Sequence, residues 1–288
     1  MNDQIIADYK NGMSINACSK KYSLNKSDVR TLLSNANVHI RNRSEQNIFS
    51  NAARGYAINH TYFDNLDETR AYYLGFLAAD GSVSEKRNSI KVTLSSVDKD
   101  FLEEFRTAIG SKRQVRVTET SNGFSIAEFG FSSQHIKQTL AKYSIVPNKT
   151  YKPMSMRNIP DELKSAFIKG YFDGDGSFSH TKGTTTGILK ICAHRKELLQ
   201  EFMEWHKAYY HGNFSSNIYS LKRKDGSVLY SWEMSTVPSI VLLDTFYNLQ
   251  TPCLIRKRKK FEEFKAFRIE NLDPRARTAF DHKVEKMC

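Results

Sequence analysis

Cysteine is scarce and scattered in this chain. Its four residues, Cys18, Cys192, Cys253 and Cys288, form no C-x-x-C pair, which argues against a zinc ribbon or a disulfide frame and fits a reducing compartment. The eight histidines form no ligand-spaced cluster, and His206 and His211 stand at the wrong spacing for one helical face. No apolar run reaches spanning length, and the first residues, with Asp3 among polar neighbours, show neither a signal nor a transit pattern. Acidic residues are also in short supply: 31 Asp and Glu stand against 43 Lys and Arg, a formal charge of +12 and a pI near 9.4. That balance points to a polyanionic partner, nucleic acid ahead of a membrane, and the cytoplasm is the expected location.

What is present is a repeated phrase. Gly75-Phe-Leu-Ala-Ala-Asp80-Gly81-Ser82 and Gly170-Tyr-Phe-Asp-Gly-Asp175-Gly176-Ser177 lie roughly a third of the chain apart. Each closes an apolar helical run, and the small pairs Gly75/Ala79 and Gly170/Gly174 fall one turn apart on one face. Two such helices can cross with their backbones nearly touching, which brings Asp80 beside Asp175. Like charges at two helix C-termini repel each other and oppose both macrodipoles. A divalent cation between them relieves both penalties. An Asp-Gly stop after either helix, taken alone, is an ordinary turn; the repetition in register is what carries the signal.

Tyr73-Leu-Gly-Phe-Leu-Ala-Ala-Asp-Gly81 and Ile168-Lys-Gly-Tyr-Phe-Asp-Gly-Asp-Gly176 resemble the two motifs of LAGLIDADG homing endonucleases, over about residues 67 to 268. The first motif acid is Asp173 in copy two but Ala78 in copy one. The resemblance implies a metal, Mg²⁺, held by Asp80 with the Ala79 carbonyl and by Asp175 with the Gly174 carbonyl. Hard oxygen ligands without His or Cys agree with that metal. It further implies a Lys after the last helix of each half, matched by Lys149 and by Lys257, with Lys259 the alternative register in Arg256–Lys260. The expected activity is hydrolysis of both strands of double-stranded DNA at a long asymmetric site, leaving 3′ overhangs. The alternative is a non-catalytic relative, an intron maturase or a transcription regulator. The opening Met and the lack of a His-Asn end suggest a free-standing or intron-encoded protein rather than an intein.

The expected fold is α+β: two αββαββα repeats, a pseudo-dimer on one monomeric chain, after a small all-α domain. Residues 1–43 form that domain, 44–66 a linker, 67–150 and 161–270 the repeats, 151–160 the inter-repeat linker and 271–288 a tail. Three of the six prolines, Pro147, Pro153 and Pro160, sit between the halves. At the N-terminus, Gly12 ends a first helix, Ser14 caps a second, and Asn25 with Asp28 caps a third carrying Val29, Leu32 and Leu33 inward. This order resembles a resolvase-type helix-turn-helix, with Lys26 and Arg30 outward and Arg41 and Arg43 in a basic arm that lies in a minor groove. In the repeats, Ser89–Ser95 alternates strictly, so Lys91 and Thr93 share an open sheet face with Gln114 and Arg116. Lys190 and His194 hold the matching face of the second half, with Lys222, Arg223 and Lys224 near its Asp225-Gly226 hairpin tip. Two such faces side by side suit a major groove.

Overall fold

A computed structural model describes residues 1–53, 57–181, 183–210 and 216–273. Most of the expected tail, with Cys288, lies outside the described residues. The chain divides into two compact units, residues 1–59 with 106–114, and residues 60–105 with 115–288.

The first unit carries α1 (Asn2–Lys10), α2 (Ile15–Tyr22), α3 (Lys26–Asn35) and α4 (Arg43–Ala53). Ile5, Tyr9, Cys18, Val29 and Leu33 form its core. Ser14 caps α2 by accepting the Ala17 N–H at 3.1 Å, as its position predicts. Asn25 occupies the N-cap of α3 but its side chain makes no capping bond, and Asp28 accepts from Ser27 instead. Helix α4 occupies what composition marks as linker. Its entry is a capping box: Asn42 Oδ1 accepts the Glu45 N–H at 3.0 Å, and Glu45 accepts the Asn42 N–H at 2.7 Å.

The second unit holds two copies of one plan. The first runs α5 (Glu68–Asp80), β1 (Gly81–Val83), β2 (Ser89–Ser95), α6 (Lys99–Ala108), β3 (Arg116–Glu119), β4 (Ser125–Ser132) and α7 (Gln134–Lys142). The second runs α8 (Lys164–Asp175), β5 (Gly176–His180), β6 (Gly187–Ala193), α9 (Lys196–Tyr209), β7 (Ser216–Lys222), β8 (Val228–Met234) and α10 (Thr236–Asn248). The antiparallel sheets have equivalent orders, β1-β2-β4-β3 and β5-β6-β8-β7. This is the expected αββαββα pair. The sequence pattern does not announce α11 (Ile255–Asn271), which the basic run Arg256–Lys260 opens. It buries Phe261 and Phe264 against Phe178 of β5, with ring centroids 5.9 and 5.0 Å away.

Alternation decides which sheet face is buried. Ile90, Val92 and Leu94 of β2 point inward with Ala127, Phe129 and Phe131 of β4. Leu189 and Ile191 of β6 do the same with Trp232 and Met234 of β8. Helices cover these faces, and the opposite faces remain open, as antiparallel sheets allow.

Helices α5 and α8 form the spine. Asp67 caps α5, accepting the Arg70 N–H at 2.8 Å. The acidic pair Asp161-Glu162 forms a 3₁₀ turn ahead of α8 rather than its first turn. A Cβ on Gly75 would stand 1.9 Å from the Phe167 carbonyl oxygen, and one on Gly170 the same distance from that of Tyr72. The helices therefore cross backbone to backbone at the glycines the sequence singles out.

Candidate functional site

The crossing brings the two helix ends together. Asp80 is the last residue of α5 and Asp175 the last of α8, and a Cβ on Gly174 would lie 3.2 Å from Asp80 Oδ2. The glycines that follow are needed for space rather than for a left-handed backbone. Gly81 and Gly176 have φ of −69° and −100°, but a Cβ on either would sit 2.5 Å from a carbonyl of its own helix. Each chain thus turns from helix into strand too tightly for any side chain, leaving the carboxylate at the corner.

Both acids are held above their ordinary range. Burial, then the neighbouring Asp175, raises Asp80 to about 6, against the pull of Lys257 and Lys149. Burial likewise raises Asp175, opposed chiefly by Lys149 and Lys257. The same burial lowers the lysines: Lys149 falls below its usual value, and Lys257 to about 8. Lys149 Nζ donates to the Ala79 carbonyl at 2.7 Å. Lys257 Nζ reaches four carbonyls at the end of α8, those of Asp173 and Gly176 at 2.6 Å, Phe172 at 2.8 Å and Gly174 at 3.4 Å. Lys259 instead faces Glu263 at 3.9 Å and is exposed. Lys257 is thus the lysine brought to this site.

Asp173 has a separate role from these acids. It is fully buried, and its Oδ2 accepts from the Tyr72 hydroxyl at 2.6 Å and the Leu254 N–H at 3.1 Å. It ties α5 and the lead-in to α11 onto α8. Burial pushes it to about 6. One turn earlier, buried Lys169 donates to Thr251 Oγ1 at 2.7 Å. The equivalent positions in α5 are Leu74 and Ala78, so this polar pair is a feature of one half only. Ala78 therefore removes a packing device rather than a member of the carboxylate pair.

Two residues near the pair gave no sequence signal for the site, and a third is placed differently. Asp98, 6% exposed, accepts the Arg256 Nε–H at 2.9 and 3.0 Å, tying the first half to α11. Tyr171, which lies in an apolar helical run, lines one cavity with Asp175, and its hydroxyl helps draw the Asp175 carboxyl down. His194, expected out on the sheet face, lies just past β6 and lines a cavity of about 50 Å³ with Asp175, Tyr171 and Lys149.

The open faces hold the remaining expected residues, with changes. Lys91 is ion-paired diagonally to Glu128 at 2.8 Å, and Lys190, its counterpart in the second sheet, directly across to Glu233 at 2.6 Å. Thr93 and Arg116 lie on the open face of the first sheet, both in register with Glu128. Gln114 precedes β3 and is not part of it. Lys222 ends β7, and exposed Arg223 and Lys224 enter the turn, where Gly226 has φ +83°. In the first unit Lys26, Arg30 and Arg43 are exposed. Arg41 is not a free arm. Its guanidinium sits 3.9 Å from the centroid of the Tyr9 ring and donates to the carbonyls of Tyr9 (2.7 Å) and Met13 (2.8 Å).

These features define a two-repeat α+β protein whose spine helices present paired carboxylates, each served by a lysine. The family model described as a LAGLIDADG-like domain matches residues 67–126 and 162–265, and the chain belongs to that family. An uncharacterized protein of Methanocaldococcus jannaschii is 28% identical over 152 residues, covering 52% of this chain and 54% of that protein. A DNA polymerase of Acanthamoeba polyphaga mimivirus is 28% identical over 138 residues, covering 44% of this chain and 8% of that protein. The chain thus spans about half the length, or less, of these curated relatives. Among solved structures, I-SmaMI bound to uncleaved DNA target in the presence of calcium ions is 13% identical, with a TM-score of 0.47, covering 76% of this chain and 97% of that one. Full-length DUF199/WhiA from Thermatoga maritima is 16% identical, with a TM-score of 0.47, covering 78% of this chain and 70% of that one.

Proposed function

We propose that this protein is a monomeric, Mg²⁺-dependent DNA endonuclease that hydrolyses both strands of a long asymmetric site and leaves 3′ overhangs. The observation that carries this reading is the meeting of Asp80 and Asp175 at the ends of two crossing helices, each end also holding a half-buried lysine.

The donor set suits the metal. Among the described residues no group of three or more His, Cys, Asp or Glu gathers, so an ion here depends on two carboxylates and backbone oxygens. Mg²⁺ is commonly bound in this way, through one or two carboxylates with water and substrate phosphate completing the shell. The absence of a Cβ at Gly174 leaves the Asp80 carboxylate room, and the carbonyls of Ala79 and Gly174 already attract ammonium groups. When bound, Mg²⁺ would polarise the scissile phosphate, make hydroxide available from water and stabilise the leaving 3′ oxygen.

The protein's own groups do the rest. Asp80 and Asp175 would hold the ion beside the reacting phosphates. Lys149 and Lys257, drawn from the helix ends when DNA enters, meet the negative charge that builds on phosphorus. The P–O3′ bond breaks, the oxygen of water becomes part of the 5′ phosphate, and the 3′ oxygen takes up a proton. Arg116 on the first open face, and Lys222, Arg223 and Lys224 at the β7–β8 hairpin tip, would hold the backbone and base edges, with Lys91 and Lys190 exchanging carboxylate partners for phosphate. In the first unit, Lys26 and Arg30 of α3 would add a helix-turn-helix contact.

The lysine positions also favour a second reading. Lys149 and Lys257 occupy carbonyls that the metal needs, which suits a DNA-binding protein without catalysis in which they only cap helices. Asp80→Asn and Asp175→Asn separate the two. The nuclease reading expects each to lose Mg²⁺-dependent cleavage of a selected target while retaining specific binding. Double-strand cleavage at the parental rate by Asp175→Asn would refute the metal assignment.

A further inference from the structure

The open faces of the two sheets are chemically unlike. The first presents mainly hydroxyls and charges, Lys91 and Thr93 on β2, Arg116 and Thr118 on β3 and Glu128 on β4, with Ile126 across from Thr118. On the second, Leu221 of β7 stands directly across from Leu229 of β8. Tyr219 is two residues along the same face, across from Ser231, which in turn faces Cys192 of β6. The inward partners fix this orientation, since Ile218 pairs with buried Trp232 and therefore points the other way. Leu221 is 64% and Tyr219 53% exposed.

Such a patch on an open sheet needs an occupant. Its rim identifies one. Arg223 and Lys224 continue the same hairpin into its turn, whereas Lys222, across from Val228, is on the other face; Lys190 lies one row away, paired to Glu233. An apolar centre with a cationic edge matches the major groove of DNA where thymines stand, with C5-methyl groups in the groove floor and phosphates along its walls. We propose that the β5–β8 sheet reads its half-site by apolar contact with thymine methyls through Leu221, Leu229 and Tyr219, whereas the β1–β4 sheet reads by hydrogen bonds. The two half-sites then differ in composition, the former rich in A·T pairs. This inference rests on the DNA-binding reading above.

Deoxyuridine tests it, because it removes the methyl from thymine and leaves the Watson–Crick edge unchanged. The full chain is first used to select a target from a random duplex library, with Ca²⁺ present. Thymines are then replaced by deoxyuridine one half-site at a time, and binding is measured for the parent and for a Leu221→Ser/Leu229→Ser protein. The expected result is a loss of about fourfold in affinity for each methyl buried, confined to one half-site and abolished in the variant. Both leucines are on the open face, so a thermal melt confirms that the variant folds. Equal penalties in both half-sites, no penalty in either, or a penalty that survives in the variant would overturn the inference. So would a parent that self-associates in sedimentation through these leucines while binding is indifferent to the methyls. If no sequence is enriched from the library, the DNA-binding reading itself fails, a result distinct from all of these.

Discussion

Replacing Gly170 by Ala isolates the feature on which the whole site depends. In an unconstrained helix interior this change stabilises by about 1 kcal/mol, because alanine is the better helix former. Here the added Cβ would lie 1.9 Å from the Tyr72 carbonyl oxygen and 2.9 Å from the Phe76 nitrogen. Carbon and oxygen rest at roughly 3.3 Å even in a favourable C–H···O contact, so α5 and α8 must part by about 1.4 Å. The obstacle is backbone, which no rotamer change can move. Overpacking of this kind costs about 1–3 kcal/mol or more, and the rigid obstacle puts it at the upper end. Set against the propensity gain, the net loss is about 2 kcal/mol, a fall in Tm of roughly 4–8 °C at this size. Gly75→Ala meets the Phe167 carbonyl in the same way, at 1.9 Å. One parting of the helices relieves both clashes, so the double variant should lose less than the sum of the single losses. Calorimetry on the three proteins measures this. A Gly170→Ala protein that melts at or above the parent's temperature refutes the close crossing, and with it the pairing of Asp80 and Asp175.

Other expectations follow from the charges. Asp80 and Asp173 titrate near 6 in the folded chain, above their unfolded value of 3.8, so the unfolded chain releases protons first. Stability from these groups is therefore full below about pH 4, falls as pH rises through 6, and is flat beyond. Asp80→Asn should raise the Tm of metal-free protein by a few degrees at pH 7, with the gain gone at pH 4; a gain independent of pH contradicts the assignment. Lys257→Met should remove the link among the four carbonyls at the end of α8, lower Tm and slow cleavage, whereas Lys259→Met should alter neither. Lys26→Ala and Arg30→Ala should each flatten the slope of log K against log salt by about 0.9 for the one phosphate it frees, and an unchanged slope means that α3 touches no DNA. Arg41→Ala should instead lower stability, because that side chain props Tyr9 and Met13 within its own unit.

Much of the central site is legible in the sequence because its physics is local. Gly, a small residue one turn later, Asp and Gly within one helical run specify a close crossing and an acid at its end, and a second copy supplies the partner. What was not legible depends on distant chain. Arg41 reads as a basic arm until the Tyr9 ring is placed beneath it. His194 continues the alternation of Lys190, but β6 ends at Ala193, and His194 lines the cavity beside Asp175. Lys91 and Lys190 alternate outward as expected, yet Glu128 and Glu233, brought beside them by strand pairing, offset their charge. One miss, α4, and one choice left open, Lys257 or Lys259, had local signals that composition concealed. Asn42 and Glu45 form a capping box ahead of an Asn- and Ala-rich stretch. In Arg256–Lys260, Lys257 is the residue one turn before Phe261 and two before Phe264, which places it on the buried face of α11.

The most direct test of the account is cleavage of the selected duplex by full-length protein with Mg²⁺ and, in parallel, with Ca²⁺. Two cuts with 3′ overhangs are expected in Mg²⁺, and in Ca²⁺ a stable complex with uncut DNA. Asp80→Asn and Asp175→Asn should each bind without cutting in either ion. Tight, sequence-specific binding that needs neither ion, with the duplex left intact in Mg²⁺, would contradict it and identify Lys149 and Lys257 as caps on a DNA-binding protein.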